Sequence, residues 1–154
     1  MDWNGKPYHS LDWELKKRFG TKVYKIALDG GMTCPNRDGT LGARGCIFCS
    51  EGGSGDFATK LSLDSNIDSN TAISSAVHAQ IEEAITRVSH KMGKSPEAYL
   101  AYFQSYTNTY APVSYLRTLF SSAISHPSVK AIAIGTRPDC LSDEVIDLCE
   151  ELNQ

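Results

Sequence analysis

The sequence predicts an α/β fold of about three β/α units. Three observations carry that prediction. Short β-rich apolar runs alternate with longer segments of helical periodicity, the pattern of parallel strands joined by crossover helices. Each run ends in a polar segment rich in turn residues. The last run, VKAIAIG, is almost continuously apolar, as expected of a strand covered on both faces.

The elements follow in order. Residues 1–22 form a lead-in, in which Leu11, Trp13, Leu15 and Phe19 are scattered among Glu14, Lys16, Lys17 and Arg18; a short helix or irregular segment is expected. Residues 23–154 form the α/β part. Its first strand is Val23–Leu28, stopped by Asp29-Gly30-Gly31. A loop then runs from Gly30 to about Ser69, too long for a plain connection. Its first half carries thiols, and its second half, LSLDSNIDSNT, reads as mobile. Val77, Ile81, Ala84, Ile85 and Val88 form one stripe of a helix that Gly93 stops. Ala98–Phe103 reads as the second strand and ends in QSYTNT. Pro112 opens the next helix, whose stripe is Val113, Leu116, Leu119, Phe120, Ala123 and Ile124; His126-Pro127 breaks it. Val129–Gly135 is the third strand, ending in TRPD. Ser142 is a good N-cap for the last helix, with Asp143 and Glu144 in its first turn. Its buried face is Val145, Ile146, Leu148, Cys149 and Leu152.

Chemistry in such folds collects at the carboxyl ends of the strands. Those ends are DGGMTC, QSYTNT and GTRPDC, so three unusual segments are expected on one rim. Three units cannot close a barrel and would leave an edge strand open. The chain therefore reads as the first part of a longer protein, with a complete small open sheet as the alternative.

Bulk properties exclude some functions. With 154 residues and 41% apolar content the chain can bury a core, and its net charge of −3 advertises no global affinity for nucleic acid. No run of about 20 apolar residues spans a membrane, and the first residues lack the apolar core of a signal peptide. The expected compartment is the cytoplasm, where thiols stay reduced. Five cysteines, an odd number, argue against a disulfide framework. Cys149, and with it Cys140, fits the role of a small buried hydrophobe. Cys34, Cys46 and Cys49 do not, because they lie in the glycine-rich loop CPNRDGTLGARGCIFC. Glycines 39, 42 and 45 give that loop access to positive φ and let backbone amides approach the sulfurs. Cys46 and Cys49, two residues apart, bite a metal or cluster edge well. A structural zinc wants four ligands, and His78, on the first long helix, reads as an ordinary helix-face histidine. Spacing alone leaves open an iron–sulfur centre, zinc, and redox or inert thiols.

The order of a first strand, a cysteine loop and Cys46-Ile47-Phe48-Cys49 resembles the radical S-adenosylmethionine superfamily. The stretches ALDGGMTCPNRDGT, GCIFCSEGGSGDF, AYFQSYTNTYAP and TRPDCL resemble more narrowly its Elp3-like bacterial subfamily of the YhcC/YtqA type, from about Tyr8 to Leu152. Two departures stand out. The gap between the first two cysteines is eleven residues rather than the superfamily's common three, and the chain has about half a member's length. The resemblance implies the N-terminal part of a partial TIM barrel. It implies that Cys34, Cys46 and Cys49 ligate a 4Fe-4S cluster whose fourth iron takes S-adenosyl-L-methionine. The cofactor would be cleaved reductively to a 5′-deoxyadenosyl radical that abstracts hydrogen. An outside electron donor such as flavodoxin or ferredoxin is implied. Such relatives modify the wobble uridine of transfer RNA, so a tRNA partner is expected by analogy alone.

Other candidates carry two readings each. Gln104, Thr107 and Asn108 occupy the place where the superfamily binds the methionine amino group, or they cap a loop. Arg137 could hold a carboxylate or phosphate, or pair with Asp139 or Asp143. Phe48 packs beside adenine or simply packs. Lys16, Lys17, Arg18, Lys22 and Lys25 read as a solvated face sooner than an RNA site. Asp29 and Asp38 read as turn formers. No side chain is singled out for catalytic proton transfer. The rivals from other classes are a zinc-stabilised binding domain and an electron-transfer iron–sulfur protein.

Overall fold

The computed structural model describes residues 3–61 and 69–154. The expectation of mobility for the second half of the long loop falls mainly on residues 62–68, outside those described.

Helix α1, Leu11–Phe19, sits within the lead-in. The Ser10 hydroxyl accepts from the Trp13 amide to start it, and Gly20, in the left-handed region, ends it. Three strands follow, β1 (Tyr24–Leu28), β2 (Tyr99–Phe103) and β3 (Val129–Ile134), separated by α2 (Ser69–Met92) and α3 (Val113–Ser125). A short 3-10 turn, Pro138–Cys140, precedes α4 (Asp143–Leu152), which Ser142 caps by accepting from the Val145 amide. The strands pair in parallel in the order β1-β2-β3, with Ile26 opposite Ala101 and Ala101 opposite Ile132. The chain is thus a mixed α/β structure with a three-stranded parallel sheet.

Strand alternation decides what the sheet buries. Ile26, Leu28, Tyr99, Ala101, Phe103 and Val129 join one core with Val77 and Ile81 of α2, and with Leu116, Leu119 and Phe120 of α3. Phe120 meets Phe103 edge-on, with ring centroids 5.3 Å apart. Val145 and Leu148 attach α4 to the same core. Cys149 packs there as a small hydrophobe, and burial pushes its thiol up.

Two expectations fail. Ile146, expected on the buried face of α4, is 52% exposed. The apolar run of β3 suggested cover on both faces, yet only Val129 is buried and Ala131–Ile134 are half-exposed. The reason is position. β3 is an edge strand, and the sheet face opposite the core carries Lys25, Ala27, Tyr102, Ala131 and Ala133, with Lys25 lying 4.9 Å over the Tyr102 ring.

Candidate functional site

The three strand ends do meet on one rim. Beyond β1, Asp29 turns the chain: its carboxylate accepts from the Gly31 amide at 2.8 Å, as an Asx turn does. Gln80, only 2% exposed on α2, clamps that turn. Its carboxamide accepts from the Asp29 N–H and donates to the Asp29 carbonyl, both at 3.0 Å. Tyr115 of α3 donates to the Gly30 carbonyl at 2.8 Å. Burial, then the nearby Asp29, raises the tyrosine's pKa.

From this anchor the loop passes to Cys34. The Cys34 carbonyl accepts from the Arg37 and Asp38 amides at 2.8 and 3.1 Å, forming a tight turn. Asp38 then accepts from the Thr40 amide at 2.9 Å, so both aspartates are turn formers. Arg37 straps the first cysteine's turn to the third's: its guanidinium donates to the Ser50 and Glu51 carbonyls and lies 5.4 Å from the Tyr106 ring centre. The Tyr106 hydroxyl donates to the same Glu51 carbonyl at 3.0 Å. Gly53 and Gly55 let this segment lie flush on the end of β2. A methyl on Gly53 would come within 2.4 Å of the Tyr106 ring, and one on Gly55 within 2.9 Å of the Ser105 Cα.

All three loop sulfurs are free and half-buried. Burial raises the Cys34 thiol's pKa, but the Thr107 hydroxyl, the Asn36 amide and the Arg137 guanidinium together outweigh it and hold the thiol below its ordinary range. Residues beyond β1, β2 and β3 therefore converge at one sulfur. The Asn36 side-chain amide donates to the Cys46 Sγ at 3.1 Å, and Ser54 Oγ lies 3.6 Å from the Cys49 Sγ. Gly39 and Gly45 take the positive φ expected of them, and Gly42 does not. The donor to the Cys46 sulfur is the Asn36 side chain rather than the backbone amides foreseen from the glycines. Among the described residues no three His, Cys, Asp or Glu side chains converge as ligands of a single ion. The loop's shape rests on Arg37, Asp38 and the flush glycines.

The remaining candidates separate. Phe48 is 84% exposed. Gln104 is half-buried at the rim, tied to β1 by its amide, which donates to the Leu28 carbonyl at 3.3 Å. Thr107 is buried, beside Cys34. Asn108 is fully buried, and its side-chain amide donates to the Gly135 carbonyl at 3.0 Å, which ties the end of β2 to that of β3. Arg137 grips Asp139 with two bonds, at 2.9 and 2.6 Å, so its fork already holds a carboxylate. That pairing is the main reason its pKa rises further. Cys140 belongs beside this cluster rather than in the core: burial, then Asp139, pushes its thiol up, and Cys34 acts in the same direction. His78 lies exposed on α2, with its ring nitrogen 3.0 Å from the Ser122 carbonyl of α3 and its ring edge-on to His126.

Sequence reasoning missed Gln80 and Arg37. Gln80 stands three residues after Val77, inside an apolar stripe, and a polar residue at a core position was the available signal.

The fold and the rim define an α/β chain with a thiol-bearing loop at the carboxyl ends of its strands. The chain is similar to the uncharacterized protein YtqA of Bacillus subtilis, 46% identical over 149 residues, covering 97% of this chain and 42% of that protein. It is also similar to protein YhcC of Escherichia coli K12, 38% identical over 142 residues, covering 92% and 40%. A third, the uncharacterized protein MJ0486 of Methanocaldococcus jannaschii, is 31% identical over 137 residues, covering 89% and 37%. The chain thus spans about two fifths of the length of these relatives. No family model matches it, and no solved structure matches it.

Proposed function

We propose that this chain is the cluster-bearing part of a radical S-adenosylmethionine enzyme, with a partial β/α barrel as its scaffold. The observation that carries the reading is the shared environment of Cys34. Three strand ends supply it with a thiol, a buried hydroxyl and a guanidinium, while a side-chain amide bonds the second sulfur of the same loop. Donors around sulfur suit thiolate ligands and tune a cluster's potential. A single zinc ion needs ligands converging at about 2.3 Å, whereas a cluster takes each thiolate on a different iron. Three thiolates, one on each of three irons, would leave the fourth iron of a cluster open, and the reading gives Cys34, Cys46 and Cys49 that part. When bound, that cluster would supply the electron that cleaves S-adenosylmethionine and so yields a hydrogen-abstracting radical.

The chain's own residues have definable parts in this. Thr107 and Arg137 stabilise the thiolate of Cys34. Asn36 holds Cys46. Asn108 acts from beneath, fixing the ends of β2 and β3 relative to each other. Gln104 and Phe48 remain accessible to a cofactor's polar and planar parts. Arg37 and the flush glycines keep the loop folded against the rim. By analogy with the resembling family, the substrate class is transfer RNA and the partner an electron donor such as flavodoxin or ferredoxin. Among the described residues no helix is long and apolar enough to cross a membrane.

The test is anaerobic reconstitution with iron and sulfide, followed by electron paramagnetic resonance of the reduced protein with and without S-adenosylmethionine. A cluster signal that shifts with the cofactor and vanishes in Cys46→Ala is expected. Stoichiometric zinc with no cluster would refute the reading.

A further inference from the structure

We propose that the lead-in and the start of β1 form a docking surface for a single-stranded nucleic-acid segment. Residues 3–25 carry six lysines and arginines against two acids, in a chain whose net charge is −3. Both acids already have partners: Asp12 pairs with Lys16 at 2.8 Å, and a Glu14 carboxylate oxygen lies 3.0 Å from a His9 ring nitrogen. Lys6, Lys17, Lys22 and Lys25 enter no ion pair among the described residues. Each lies instead over an aromatic ring, on Tyr8, Trp13, Tyr24 and Tyr102, at 4.8 to 5.7 Å from the centroid. Lys6 and Lys16 line one cleft with Asp12 between them in sequence, though ten residues separate the two lysines.

The rings are ordered as well. Trp3 stacks on His9 at 5.6 Å with planes 14° apart, and His9 meets Trp13 edge-on at 5.1 Å. Trp3, Lys6, Trp13 and Lys16 line one cleft of about 450 Å³. Flat rings interleaved with cations are what a nucleic-acid strand requires: bases stack on the rings, and phosphates release counterions to the lysines. A helix that inserts into an anionic membrane carries a continuous apolar face of Leu, Phe and Trp. Leu11 is the only large aliphatic exposed here among the described residues. The solvated-face reading of these lysines leaves the stacked Trp3 and His9 unexplained.

This inference rests on the RNA part of the reading above and needs neither cluster nor cofactor. It is tested on the whole chain without iron, so its failure is separate from failure of the cluster reading. The probe is a fluorescein-labelled single-stranded RNA of about 15 nucleotides, followed by anisotropy from about 50 to about 200 mM salt. Saturable binding that weakens with salt is expected. Lys6→Gln/Lys17→Gln/Lys22→Gln changes exposed side chains only, and it should make the log–log salt slope shallower by about 2, at roughly 0.7 per phosphate contact. Trp3→Ala should weaken binding about fivefold or more with the slope unchanged. No binding by the parent chain overturns the proposal, as do variants that bind like the parent. So does a charge-dependent affinity for phosphatidylserine vesicles with none for RNA.

Discussion

Gln80→Met removes the clamp on Asp29 while keeping most of the side chain's volume. The residue is 2% exposed, so the change is felt in the interior, and packing loss alone should stay small for an isosteric swap. What is lost is a pair of hydrogen bonds at 3.0 Å to one peptide turn. Each main-chain group left unpaired costs about 1–3 kcal/mol, and Asp29 is only half-buried, so water recovers part of it. We expect about 2–3 kcal/mol in total. With a urea dependence of about 2 kcal/mol per molar for a chain of this size, the unfolding midpoint should fall by about 1–1.5 M. The loop carrying Cys34 leaves from this turn, so iron incorporation should fall as well. A midpoint shift below about 0.3 M would refute the clamp as a structural anchor.

Gly55→Ala drives a methyl against Ser105 and should cost about 1–3 kcal/mol in thermal unfolding, partly recovered by adding Ser105→Gly. Phe48→Ala, at a side chain 84% exposed, should leave stability unchanged within about 0.5 kcal/mol while weakening any S-adenosylmethionine-dependent spectral change. Arg117 on α3 bonds Glu151 on α4 and holds that carboxyl below its ordinary value of 4.5. The contribution of a depressed carboxyl is fully present above its unfolded value and is lost as pH falls through its folded one. Melting temperatures measured from neutral pH down to about pH 3 should therefore fall less steeply in Glu151→Gln than in the parent chain.

The strands were legible because each is an apolar run bounded by turn residues; β1 begins at Tyr24 rather than Val23, and β2 at Tyr99 rather than Ala98. The helices were legible from their stripes and caps, Ser142 above all. The cysteine set of the rim could be read from spacing. What joins it could not. Thr107 and Arg137 reach Cys34 only because parallel pairing aligns three strand ends, and Gln80 finds Asp29 across 51 residues. Such contacts leave no local periodicity. For Arg137 the structure shows the ion-pair reading, in two bonds to Asp139, and adds an approach to Cys34 that neither reading named. The cover of β3 was misjudged because an apolar run records what a strand can bury, not which neighbours lie within the chain.

The parallel order β1-β2-β3 also governs when the strands can find one another. About 70 residues separate Leu28 from Tyr99, whereas about 25 separate Phe103 from Val129. Closing the longer loop costs about 0.9 kcal/mol more in chain entropy. The β2-α3-β3 unit is therefore the cheaper nucleus, and β1 docks onto it afterwards, carrying the cysteine loop. In amide hydrogen exchange β1 should open at lower free energy than β2, which is bonded on both sides. The segment that presents the thiols is thus the last to join the sheet, so its sulfurs stay open to solvent until β1 has docked.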